Sequence, residues 1–189
     1  MKKLFFLLLI SSNIFAQSEM PTNEPLFPLP INTEGRVSYE GVVELANISK
    51  DELYDRSRVW LATAFNSSKA IIDFSDKESG KTISKVAATT YVKSLGKTSF
   101  IGSWHYTFTI IVKDSKYKYV ITDFYHVNDT NVAGCKSVGA IENSEEQVHG
   151  LTCPNRKQLK EMKTILAVET SALINALKSN MSKKSVSDF

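Results

Sequence analysis

The chain has 189 residues, of which 42% are hydrophobic and 23% charged, enough for one globular domain with a sizeable core. Its formal net charge is +3, and loss of residues 1–16 would remove two lysines and no acid, leaving +1. That near-neutral balance argues against a protein that holds nucleic acid electrostatically, which needs a basic patch to displace counterions.

The N-terminus has the layout of a secretory signal peptide. Met1-Lys2-Lys3 is a basic start and Leu4 to Ile10 an apolar run; Ser11-Ser12-Asn13 breaks it, and Ala16 is a small residue before Gln17. The run is too short to span a bilayer. The competing reading, a buried N-terminal strand or helix, fits those flanks poorly. The sequence thus predicts a leader over residues 1–16 and a mature chain with no transmembrane span. It predicts export to the periplasm or the cell exterior. No cysteine lies near the cut, so a lipid anchor is not indicated.

Residues 17–35 hold Pro21, Pro25, Pro28 and Pro30, spacing that favours an extended lead segment. Leu26, Phe27, Leu29 and Ile31 give part of it a means of lying on the domain. Residues 36–179 read as a single domain. Val37 to Leu45 alternates as a strand, with Val37, Tyr39, Val43 and Leu45 on one face and Ser38, Glu40 and Glu44 on the other. Ser49-Lys50-Asp51-Glu52 is a capping box. The helix after it runs to about Phe65, with Leu53, Ser57, Trp60, Leu61 and Ala64 on one stripe. Trp60 reads as a core anchor, with ligand stacking the lesser alternative.

Ala70 to Phe74 is a short strand, Asp76 to Gly80 a turn, and Lys81 to Lys93 a strand rich in β-branched residues. Ser99 to Val127 then reads as a long hairpin turning at Asp114-Ser115-Lys116. In its first arm Trp104, Tyr106, Phe108, Ile110 and Val112 point one way. Ser103, His105, Thr107, Thr109 and Lys113 point the other, with Ile111 the apolar exception. In the second arm Tyr119, Ile121, Tyr125 and Val127 alternate with Lys118, Val120, Thr122, Phe124 and His126. Both sets carry apolar residues, so the pattern does not say which is buried.

Asn128 to Asn155 reads as a long polar loop. Arg156 to about Lys178 reads as a second helix, with a seam of Leu159, Met162, Leu166, Leu173 and Leu177 interrupted by Glu169. Arg156, Lys157, Lys160, Lys163, Lys178, Lys183 and Lys184, against Glu161 and Glu169, make the C-terminal region basic, most simply as a solvated helix face, alternatively as a site for an anionic surface. Residues 180–189 read as a flexible tail. The order β-α-β-β-β-β-α predicts an α+β fold: an antiparallel sheet of about five strands with both helices on one face. The other face would then show Ser38, Glu40, Lys85, Thr89, Tyr91, Lys93, His105, Thr107 and Thr109.

Three stretches carry a resemblance: Gly35 to Leu45, Ser49 to Trp60, and Asp76 to Lys81. Together they are similar to an uncharacterised family of exported bacterial proteins, described as a domain of unknown function with a TATA-binding-protein-like fold. The resemblance spans roughly Pro28 to Val127. It implies the same sheet-and-helix order and a Gram-negative envelope setting. It implies no activity and no catalytic residues, and the fold name is no evidence of DNA binding.

The two cysteines, Cys135 and Cys153, both fall in the long loop. In an exported chain such a pair is most simply a disulfide; free thiols, or a metal site with His149 and His126, are the alternatives. A Ser103–His105–Asp123 triad can be drawn, but no nucleophile elbow or Gly-rich oxyanion loop frames it. No metal or cofactor motif stands out. The expectation is a non-catalytic domain that binds an envelope component through the open sheet face, with Tyr91, His105, Thr107 and Thr109 as binding residues. A small-ligand carrier with a cavity between sheet and helix is the alternative, and a hydrolase a distant one.

Overall fold

The computed structural model describes residues 29–65, 71–94, 96–128, 135–149 and 153–183. The expected leader and most of the lead segment lie outside them. The elements are β1 (Tyr39–Glu44), α1 (Lys50–Ala64), β2 (Ile71–Asp76), β3 (Lys81–Ser94), β4 (Lys97–Lys113), β5 (Lys116–Val127), β6 (Gly139–Ala140), a 3-10 turn at Ile141–Asn143 and α2 (Arg156–Ser182). The described strands form one antiparallel sheet in the order β1-β5-β4-β3-β2, with β6 also paired to β5. The expected α+β architecture is present, with one short strand more than the pattern suggested.

β4 alternates as its sequence dictates: Trp104, Tyr106, Phe108, Ile110 and Val112 are all buried. α1 begins at Ser49, whose hydroxyl accepts from the Glu52 N–H at 3.2 Å. It lays Trp60 edge-on to Phe108, with ring centroids 5.5 Å apart. α2 begins at Asn155, which forms a full capping box with Gln158. Both helices cover the same sheet face: Tyr106 and Phe108 lie beneath, and Lys178 of α2 lies over the ring of Tyr119.

The question left open in β5 is settled by a β-bulge. Register shifts between His105 and Thr107 of β4, and Asp123 sits at φ 61° in β5. Tyr117, Tyr119 and Ile121 point into the core before the bulge, and Phe124 and His126 after it. A second bulge puts an extra residue, Ile101, in β4 between the pairs Thr90–Gly102 and Tyr91–Phe100, next to Gly102 at φ 119°.

Three other expectations are corrected. Ser38 is buried, because Ile31 bridges Val37 and the Ser38 N–H donates to the Pro30 carbonyl at 3.0 Å, laying the lead segment over it. The loop after β5 is not simply polar: Val138, Ile141 and Val148 are each 1% exposed and anchor it to the core. The tail does not begin at residue 180, since α2 runs on to Ser182 with Met181 fully buried.

Candidate functional site

The face turned away from the helices is open, and the ladder registers place its residues in rows. Phe74, Ile83, Thr109, Val120 and Glu40 lie side by side across β2, β3, β4, β5 and β1. The next row holds Asp76, Lys81, Ile111, Lys118 and Val42. Ile83, Ile111 and Val120 are half-buried with no helix above them. Their neighbours on this face shield them, and together they form an aliphatic strip between Phe74 and Val42.

The expected binding residues lie further along the same face and do not behave alike. Tyr91 is 48% exposed, with its ring 5.7 Å from that of Phe100. His105 is exposed and stands opposite Tyr125, which is 50% exposed. Thr107 is on this face but only 9% exposed: the Lys85 ammonium donates to its hydroxyl at 2.9 Å and lies over it. Thr109 is half-buried beside Ile83 and Val120. The Lys93 side chain lies outside the described residues. Sequence reasoning missed Tyr125, Phe74 and Val42. For Tyr125 the signal was hidden, because the bulge reverses the alternation just before it.

The other arrangements weighed from sequence do not assemble. The Asp123 carboxylate accepts from Arg36 Nη1 at 2.9 Å and is committed there, so Ser103 and His105 have no acid from it. Cys135 and Cys153 are joined in a disulfide, so their sulfurs are not thiolate ligands. His126 is fully buried, its ring 5.1 Å from that of Trp104, and its Nδ1 accepts from the Val138 N–H. Among the described residues no group of three His, Cys, Asp or Glu could hold a metal ion, and no helix is long and apolar enough to cross a membrane. The basic character of α2 is partly paired off, with Lys163 on Glu145 at 2.8 Å.

On the helix side, a cleft of about 260 Å³ opens where α2, the end of α1 and the sheet converge. Phe65, Leu166 and Leu173 give it apolar walls, and Tyr106, Glu169 and Thr170 supply its polar groups. Glu169 keeps solvent on one side, yet loss of water around its carboxyl pushes its pKa up. Burial, and then the nearby Glu169 charge, push the Tyr106 phenol above its usual range.

This layout of one sheet under two helices is found in other proteins. Residues 39–127 match the family model "Domain of unknown function (DUF4468) with TBP-like fold". The DUF4468 match thus takes in β1 to β5 and α1, and ends before the disulfide loop and α2. A DUF4468 family protein from Bacteroides ovatus superposes with a TM-score of 0.66 at 11% identity, covering 90% of this chain and 99% of that one. A TBP-like protein from Parabacteroides distasonis superposes with a TM-score of 0.55 at 17% identity, covering 81% of this chain and 94% of that one. At these identities the likeness shows the fold alone. No curated protein matches the chain.

Proposed function

We propose that this protein is a non-catalytic binding domain of the bacterial envelope, and that its open sheet face takes a protein partner. One observation carries the reading. Of the eight large hydrophobic side chains exposed among the described residues, four stand on this one face: Val42, Phe74, Tyr91 and Tyr125. Rings on a rigid strand lose little entropy on contact, and clustered exposed apolar surface marks interaction sites. Tyr91, His105 and Tyr125 form the aromatic end of the surface, and the Phe74-to-Val42 strip the aliphatic end. Thr109 lies within that strip. Thr107 contributes through Lys85, which covers it. The envelope setting rests on the basic, apolar, small-residue order of residues 1–16. Mass spectrometry of periplasmic or secreted protein should find Gln17 as its first residue, and retention of Met1 would remove that support.

The test of the surface is a pull-down from envelope extract with wild type and with Tyr91→Ala combined with His105→Ala. Circular dichroism serves as the folding control. Both side chains are exposed, so the fold should persist while a partner held by wild type is lost. Equal capture by the two proteins would leave this face a wet surface.

A further inference from the structure

Glu169 breaks the apolar seam of α2, three residues after Leu166 and four before Leu173. Those spacings put all three on one helix face, so the carboxylate lines the cleft while the residue stays exposed to water. Among the described residues nothing donates a hydrogen bond or an ion pair to it. The Tyr106 hydroxyl also lines the cleft, and among the described residues it makes no hydrogen bond. No lysine, arginine or histidine is among the cleft's lining residues. Among the described residues, an anionic acceptor and a phenol oxygen thus line one small cleft of mixed polar and apolar walls with no cation beside them.

We infer that this cleft binds a small organic cation with an apolar body, such as a primary alkylamine, its ammonium on Glu169 and Tyr106 and its chain against Phe65, Leu166 and Leu173. An ammonium has three donors and no acceptor, which complements a carboxylate and a phenol oxygen. A neutral apolar guest would desolvate the carboxylate further without pairing it, and an anion would be repelled. The volume lies just below the roughly 300–1,000 Å³ of pockets for drug-sized ligands, so the guest is small. The site is on the helix side of the sheet and is independent of the open-face reading.

The experiment titrates the full-length mature protein with hexylamine, hexanol and hexanoate, following backbone amide NMR shifts. Hexylamine should shift amides around the cleft, with hexanol and hexanoate much weaker. Glu169→Gln, which preserves shape at an exposed position, should weaken hexylamine about two- to fivefold, the loss expected for a solvent-exposed ion pair, and leave hexanol unchanged. Tyr106→Phe should weaken the amine by a smaller factor. Tyr91→Ala with His105→Ala should bind it as wild type does. Equal binding of hexylamine and hexanol, an unaffected Glu169→Gln, or amine shifts centred on Glu40 and Glu44 would each overturn the inference.

Discussion

Trp60 joins the first helix to the sheet. It is 3% exposed and meets Phe108 and Phe65 edge-on, at 5.5 and 6.0 Å between ring centroids. Trp60→Ala should cost roughly 3–5 kcal/mol, as aromatic truncations in cores do, and lower the denaturant midpoint accordingly. A near-unchanged midpoint would mean that α1 does not rest on β4. Gly102 acts through an absence. A Cβ there would collide with the Val127 carbonyl and lie 2.9 Å from His126 Nε2, at a φ that side chains rarely adopt. Gly102→Ala should therefore cost about 1–3 kcal/mol from backbone strain alone, before any shift of the β5 end. Gly41 has a related role, since the Tyr119 ring occupies the space a side chain would need. A thermal melt of Gly102→Ala that matches wild type would show that β5 gives way without cost.

At the scale of elements, α2 is the informative case. Its buried row runs through Ile174 and Leu177 to Met181, and Arg56 of α1 donates to the Met181 carbonyl at 2.6 Å. The Ser- and Lys-rich composition after residue 178 hides this, because a single methionine and a contact from another helix hold the last turn. Truncation after Ser179 should destabilise by about 2–5 kcal/mol, the range for losing a buried methionine, measured by urea unfolding. No change would show the turn to be dispensable. The disulfide spans 18 residues and ties the loop after β5 to the start of α2. In the chain-entropy model closing such a loop adds roughly 3 kcal/mol. Both cysteines should resist alkylation in the unreduced native protein and react fully once reduced; full alkylation without reductant would refute the bond.

Across the whole molecule, the covered sheet face is rich in tyrosine. Burial raises the pKa of Tyr39 to about 12, and that of Tyr117 and Tyr119 in the same direction. An unfolded tyrosine ionises near 10.0. Between the two values the unfolded chain has lost the proton and the folded chain keeps it, so stability falls as pH rises. The contribution is fully present below pH 10 and disappears as pH passes the folded value. Urea midpoints taken at stepped pH should fall steeply above pH 10, with tyrosinate absorbance appearing together with unfolding. Flat midpoints, or tyrosinate forming in the native state, would place these phenols in contact with water.

The sequence by itself determined the local periodicities: the alternation of β4, the capped stripe of α1, and the turns at Asp76–Gly80 and Asp114–Lys116. These depend on residues a few positions apart, so one chain segment suffices to express them. From them followed the α+β order and both helices on one face. Tertiary structure decided where those periods break. The bulge at Asp123 depends on the register β5 keeps with β4, and it turns Tyr125 outward and Phe124 inward. Lys85 covers Thr107 only because the two face each other across a ladder. Glu169 reads in sequence as a flaw in a helix seam. Only the meeting of α2 with Phe65 and Tyr106, each from a distant part of the chain, makes a cleft around it.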